Sequence, residues 1–169
     1  VALIIKEPYR LRRLFSFLDP ARDPKGDGWQ INQGLMALGS GGLFGVGLGR
    51  SRQKFFYLPE SHADYIFAII GEELGLIGTV FLLFLFFLIA WRGYKIALTV
   101  PDRYGSLLAV GITSCIVVQA LINIAVVTAT IPTTGITLPL ISAGGSSLWI
   151  TLVSIGILLN ISKEAGRSG

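Results

Sequence analysis

Polar and apolar positions are unevenly distributed along this chain, and three long stretches are apolar and carry no charge within them. The first, 74–91, holds 18 residues, LGLIGTVFLLFLFFLIAW. The second, 105–131, holds 27, with Gln119 and Asn123 its only strongly polar side chains. The third, 148–161, holds 14 and is extended at its start by Ser146 and Ser147. Crossing the hydrocarbon core takes about 20 helical residues at ~1.5 Å each. The first two stretches reach that length, and the third does so with the small residues before it. A helix on the surface of a soluble domain carries a polar stripe, whereas Val80 to Ala90 carries none. The pattern predicts an all-α polytopic membrane protein with transmembrane helices at 74–95, 105–129 and 147–162. A short loop at 96–104, a longer one at 130–146 and a tail at 163–169 complete this part.

Ahead of these stretches, 1–5 (VALII) runs straight into charged residues and reads as the end of a preceding transmembrane helix. The chain is therefore expected to be a piece of a longer protein. Composition agrees with a membrane setting: of 169 residues, 52% are apolar and 14% charged, against about a quarter charged in soluble domains. The net charge of +4 would suit nucleic acid or anionic lipid, and the composition selects lipid and argues against nucleic acid. One cysteine, Cys115, excludes a disulfide framework and cysteine-cluster metal sites. One histidine, His62, excludes a histidine-rich metal site.

Arg92, Lys95, Arg103, Lys163 and Arg167 fall on one side if the helices alternate, and the positive-inside rule makes that side cytoplasmic. The segment 6–73 then faces outward. Its nine Lys/Arg against eight Asp/Glu conflict with a plain count, but the rule weighs short loops most and fades near ~60 residues. Within this segment, Asp19-Pro20, Asp23-Pro24 and Lys25-Gly26-Asp27-Gly28 are turn chemistry. Trp29, Ile31, Leu35 and Leu38 predict a short amphipathic helix, lying at the interface or packed on the spans. Gly41, Gly45 and Gly49 recur every fourth residue, which suits either a close helix contact or a membrane-embedded turn. In the second loop, Pro132, Gly135, Pro139, Gly144 and Gly145 break helices, yet Ile136, Leu138, Leu140 and Ile141 are too apolar for open water. Irregular backbone of that kind is tolerated at membrane depth where protein buries it or it lines a cavity.

Nucleotide-binding motifs fail: no G-x-G-x-x-G occurs, and Gly49-Arg50-Ser51 lacks the lysine of a phosphate loop. The stretch 50–73, RSRQKFFYLPESHADYIFAIIGEE, carries more. Arg50, Arg52 and Lys54 beside Phe55, Phe56 and Tyr57 suit an anionic headgroup such as a lipid diphosphate, or simply snorkel. Pro59 suits the first turn of a helix on which Glu60 and Asp64, four apart, share a face. Asp64 meets the apolar run from Tyr65 to Ile70. Desolvation there makes its carboxylate a better base, and an ionisable group at membrane depth is a functional candidate. Ser142, Gly144, Gly145, Ser146 and Ser147 offer amides and hydroxyls to an anion or sugar, or serve to cap the last helix. No cofactor is required by any motif. Asp64 with Glu60 or Glu72 could attract Mg²⁺ or Mn²⁺, although no spacing here is diagnostic.

Tyr57-Leu58-Pro59-Glu60-Ser61-His62-Ala63-Asp64-Tyr65-Ile66-Phe67-Ala68 and Gly71-Glu72-Glu73-Leu74-Gly75 resemble the signature of the SEDS family, the FtsW/RodA/SpoVE membrane glycosyltransferases of bacteria. Phe17-Leu18-Asp19-Pro20, Gly39-Ser40-Gly41-Gly42-Leu43-Phe44-Gly45 and 139–147 (PLISAGGSS) match further family motifs in order. Gln53-Lys54 ahead of Tyr57 is closer to the division and sporulation branch than to the elongation branch. The resemblance implies the C-terminal part of a ten-span fold in the cytoplasmic membrane, with the large loop outward. It implies polymerisation of lipid II into glycan, with release of undecaprenyl diphosphate and a class B penicillin-binding protein and the divisome as partners. Asp64 matches the family's essential aspartate and implied general base. His62 is placed either to orient it or to cap structure. The stretch alone, lacking the earlier spans, is expected to be inactive. Ala143, Thr134 and Ala63 depart from the commoner family residues and bear on the shape of the outer pocket.

Three other readings stand beside this one. A lipid II flippase would use the broken segment before the last span, but the span centres hold no charge of the kind a coupled carrier needs. A non-catalytic divisome scaffold would tolerate Asp64→Asn. A glycosidase built on Glu60 and Asp64 fits the spacing but not the membrane setting.

Overall fold

A computed structural model describes Phe17, residues 27–50 and residues 64–167. Helix α1 spans Asp27–Ser40, α2 Ile66–Thr99, α3 Arg103–Val127 and α4 Gly145–Arg167. No strand occurs among the described residues, and α2, α3 and α4 are each long and apolar enough to cross a membrane. Many of their large apolar side chains point outward, among them Phe81, Phe84, Phe87, Leu107, Leu121 and Trp149. A soluble protein rarely carries so large an apolar surface. The arrangement is that of a multi-pass, all-helical membrane protein.

The α2–α3 hairpin is set by its sequence. Pro101 keeps the residue before it extended and stops α2, and Val100 has ψ 126°. Asp102 then caps α3, its Oδ2 accepting the Gly105 N–H at 2.8 Å. The expected loop of 96–104 thus shrinks to 100–102, because Lys95 to Thr99 continues the helix. Gly93 lets the two helices cross closely, since a methyl there would overlap the Thr113 hydroxyl. Tyr94 Oη and Ser114 Oγ pair at 2.9 Å beside the crossing.

Helix α2 begins at Ile66, eight residues ahead of the span expected at 74. Its 34 residues would run about 51 Å if straight, well beyond a bilayer core. It is broken at Gly75, with φ 67° and ψ −162°. Glu72 and Glu73, the charges that marked the span boundary in the sequence, lie at this break. A continuous helix would bond the Leu76 and Ile77 amides to the Glu72 and Glu73 carbonyls. Here the turn after α1 takes both partners. Val46 N–H donates to Glu72 O at 2.9 Å and Gly47 N–H to Glu73 O at 3.1 Å. Gly42 O and Leu43 O accept from Leu76 and Ile77 at 2.9 and 3.3 Å. The broken backbone is therefore satisfied by protein, as membrane depth demands. Gly41, Gly45 and Gly75 have no space for a side chain: a methyl on any of them would overlap backbone of the opposite segment. Of the two readings of the four-residue glycine spacing, the embedded turn is the one observed.

The amphipathic helix expected near Trp29 is α1, but its inward face differs. Gly28, Ile31, Gly34 and Ala37 are buried, Trp29 and Leu38 are half-buried, and Leu35 is exposed. Small residues win the contact because α1 lies close against Tyr65, whose ring would meet a methyl on Gly34 at 3.0 Å. The main core gathers Ala37, Tyr65, Phe67, Phe86, Val127 and Leu138 at this end of the hairpin. A second cluster at the other end joins Ala97, Val100 and Ala109 to Leu158 and Ile161 of α4.

Candidate functional site

The site is assembled around two polar side chains one turn apart on α3. Asn123 is 1% exposed. Its Nδ2 donates to Asp64 O at 2.9 Å and to Ile136 O at 2.7 Å. Gln119 Nε2 donates to Thr137 O at 3.1 Å and reaches Ser147 Oγ at 3.4 Å. Together they fasten the 128–144 loop and the start of α2 to one helix face. Both residues stood out in the sequence only as polar interruptions of an apolar stretch. Nothing in the spacing pointed to their carbonyl partners, which lie 13 to 59 residues away.

The loop between α3 and α4 is irregular yet ordered by its own bonds. Helix α3 ends in a left-handed residue, Ala129, with φ 52°. Thr130 N–H donates back to Ala125 O at 2.8 Å and Ala129 N–H to Val126 O at 3.0 Å, the paired bonds of a Schellman end. Leu138 is 1% exposed and anchors the loop in the main core. Beyond it, Pro139 and Leu140 turn the chain, Leu140 at φ 66°. Ser142, a candidate for ligand binding, is buried, and its Oγ accepts the Leu138 N–H at 2.8 Å. Ser147 Oγ accepts from Thr137 Oγ1 at 3.0 Å. These two hydroxyls hold the loop. Gly145 and Ser146 remain exposed where α4 begins, with Gly144 half-buried beside them.

Asp64 lies just outside α2 rather than on it. The sequence had put Glu60 and Asp64 on one helix starting near Pro59, whereas Asp64 and Tyr65 form a turn and α2 starts at Ile66. The cause is visible in the bonds. In a helix Asp64 O would accept from Ala68 N–H; that amide instead donates to Tyr65 O at 3.0 Å, and Asn123 takes Asp64 O. The carboxylate is half-buried and lies over Gly135, where a methyl would sit 3.6 Å from Oδ2. Gly135 has φ 71° and is exposed. Arg50 ends the turn that plugs the α2 break and is exposed, with its N–H on Gly47 O at 3.2 Å. The remaining candidates, Arg52, Lys54, Glu60 and His62, lie outside the described residues.

A metal at Asp64 would need further carboxylates. Glu72 is 3% exposed within the α2 break, and Glu60 is not among the described residues. No cluster of three or more His, Cys, Asp or Glu occurs among the described residues.

What the arrangement can do is hold a carboxylate beside the α3–α4 loop, against Gly135, and a carboxylate so held can take a proton from a hydroxyl. Comparison with known proteins identifies the family. Residues 1–167 match the FtsW/RodA/SpoVE family, described as cell cycle proteins. The chain is 58% identical over 163 residues to stage V sporulation protein E of Bacillus subtilis, covering 96% of this chain and 44% of that protein. It is 50% identical over 162 residues to a probable peptidoglycan glycosyltransferase FtsW of Trichlorobacter lovleyi, covering 96% and 42%. A solved structure, from work on the structural coordination of polymerization and crosslinking by a peptidoglycan synthase complex, superposes with a TM-score of 0.71 at 30% identity. It covers 94% of this chain and 43% of the solved one. The chain thus spans less than half the length of these relatives.

Proposed function

The chain belongs to the FtsW/RodA/SpoVE family, and from that premise we propose that its full-length protein is a peptidoglycan glycosyltransferase of division or sporulation that polymerises lipid II. The observation that carries the reading is the half-buried Asp64, its carboxylate set over Gly135 of the α3–α4 loop. Two relatives, 58% and 50% identical over the 163 and 162 matched residues, bear names of this activity or branch.

In this reading Asp64 takes the proton of the acceptor GlcNAc 4-hydroxyl. The freed oxygen attacks C1 of the donor MurNAc, the C1–O bond to undecaprenyl diphosphate breaks, and the configuration inverts. The electron pair leaves on the diphosphate, which Arg50, Arg52 and Lys54 are placed in sequence to neutralise. The site faces outward across the bacterial cytoplasmic membrane, since Arg92, Lys95, Arg103 and Lys163 gather at the opposite ends of the helices. A class B penicillin-binding protein is the proposed partner that crosslinks the strand.

The activity is tested by giving the full-length protein, with its partner, labelled lipid II and looking for muramidase-sensitive polymer. Polymer is expected; transbilayer movement of lipid II without polymer would replace this reading with the flippase. Orientation is read from fusions behind α4: green fluorescent protein there should fluoresce, and active alkaline phosphatase there would reverse the assignment.

A further inference from the structure

Asn123 is buried at a cost that its packing does not explain. Its Nδ2 makes two bonds, to Asp64 O at 2.9 Å and Ile136 O at 2.7 Å, while its Oδ1 is buried with no hydrogen-bond partner. An unpaired buried acceptor is destabilising, and a leucine of similar size would avoid it in an apolar span. The two donor bonds therefore point to a requirement of geometry. They reach the two segments that meet at the carboxylate: the Asp64 peptide itself, and the residue next to Gly135, over which Oδ2 lies. The Asp64 bond lies at the point where α2 starts, since Ala68 N–H donates to Tyr65 O rather than to the Asp64 carbonyl that Asn123 holds.

We propose that Asn123 is a positioning residue for catalysis: one amide spans the Asp64 and Ile136 carbonyls, turns the Asp64 peptide out of α2, and sets its carboxylate against Gly135. Asn123 does not touch substrate; it fixes the register between base and loop. This rests on the reading of Asp64 as the base. A shift of an ångström in such a group is enough to slow chemistry while leaving remote binding intact.

The test uses the full-length protein with its partner, comparing Asn123→Leu, Asn123→Asp and Asp64→Asn for folding by gel filtration and for rate against lipid II concentration. Asn123→Leu and the equal-sized Asn123→Asp should each lower kcat about tenfold or more with KM within about twofold, the signature of misplaced chemistry rather than lost binding. Adding Asn123→Leu to Asp64→Asn should slow the residual rate no further, because the residue to be positioned is already gone. A folded Asn123 variant with parental kcat, or one changed in KM alone, overturns the proposal. So does failure of both Asn123 variants to fold while Asp64→Asn folds, which assigns Asn123 to stability. If Asp64→Asn polymerises at the parental rate, the base itself is misassigned and both readings fall. If Asp64→Asn is dead and Asn123→Leu normal, only this one does.

Discussion

Individual residues of the α3–α4 loop show how local backbone choices hold irregular structure at membrane depth. Ala129 occupies the left-handed end of α3 at φ 52°, a position where glycine avoids a Cβ penalty of about 1–2 kcal/mol. Ala129→Gly should therefore stabilise the protein by about 1 kcal/mol, the gain being reduced by glycine's freedom in the unfolded chain. Thermal unfolding of the purified full-length protein in detergent would show it as a higher midpoint; a lower one would mean that Ala129 contributes packing not accounted for. Ser142 illustrates the limits of reading residue types. Its hydroxyl in a Gly- and Ser-rich segment suggests a ligand, but it serves the buried Leu138 amide. Asn123 illustrates the reverse, a polar residue whose meaning lies in carbonyls far along the chain. Side-chain chemistry is legible in sequence, whereas its partner is set by tertiary contact.

Among the elements, the interlock of the post-α1 turn with the break in α2 is the least legible and the most constrained. The two glycine-rich motifs around Gly41–Gly45 and Gly71–Gly75 were each visible, but no periodicity says that one repairs the other. Gly45→Ala places a methyl on the Glu73 carbonyl at φ 77°. The left-handed strain of about 1–2 kcal/mol and overpacking of about 1–3 kcal/mol should together cost roughly 2–5 kcal/mol. Immunoblotting of membranes should show Gly45→Ala protein strongly depleted, and normal accumulation would mean that the turn can part from the helix. The spans themselves were legible because a charge-free stretch of sufficient length has few other fates. Their ends were not. α2 extends to Ile66 because backbone from another element satisfies its break, and to Thr99 because Pro101, not Lys95, stops it.

For the molecule as a whole, three apolar helices and the turn after α1 pack around the end of the hairpin where Asp64 lies. Asp64 lies in the turn just before α2, α3 fastens it and the loop through Asn123 and Gln119, and α4 begins where the loop's hydroxyls end. The membrane class and the three apolar helices could be reached from sequence. The scaffolding around Asp64 could not, since the Asn123 bonds to Asp64 O and Ile136 O cross between elements. The most direct measurement is therefore polymerisation of labelled lipid II by the full-length protein with the proposed penicillin-binding partner, beside an equally folded Asp64→Asn variant. This account predicts polymer from the parent and a loss of at least about a hundredfold in the variant, the range removed with a general base. Equal polymer from both would contradict it and place the base elsewhere.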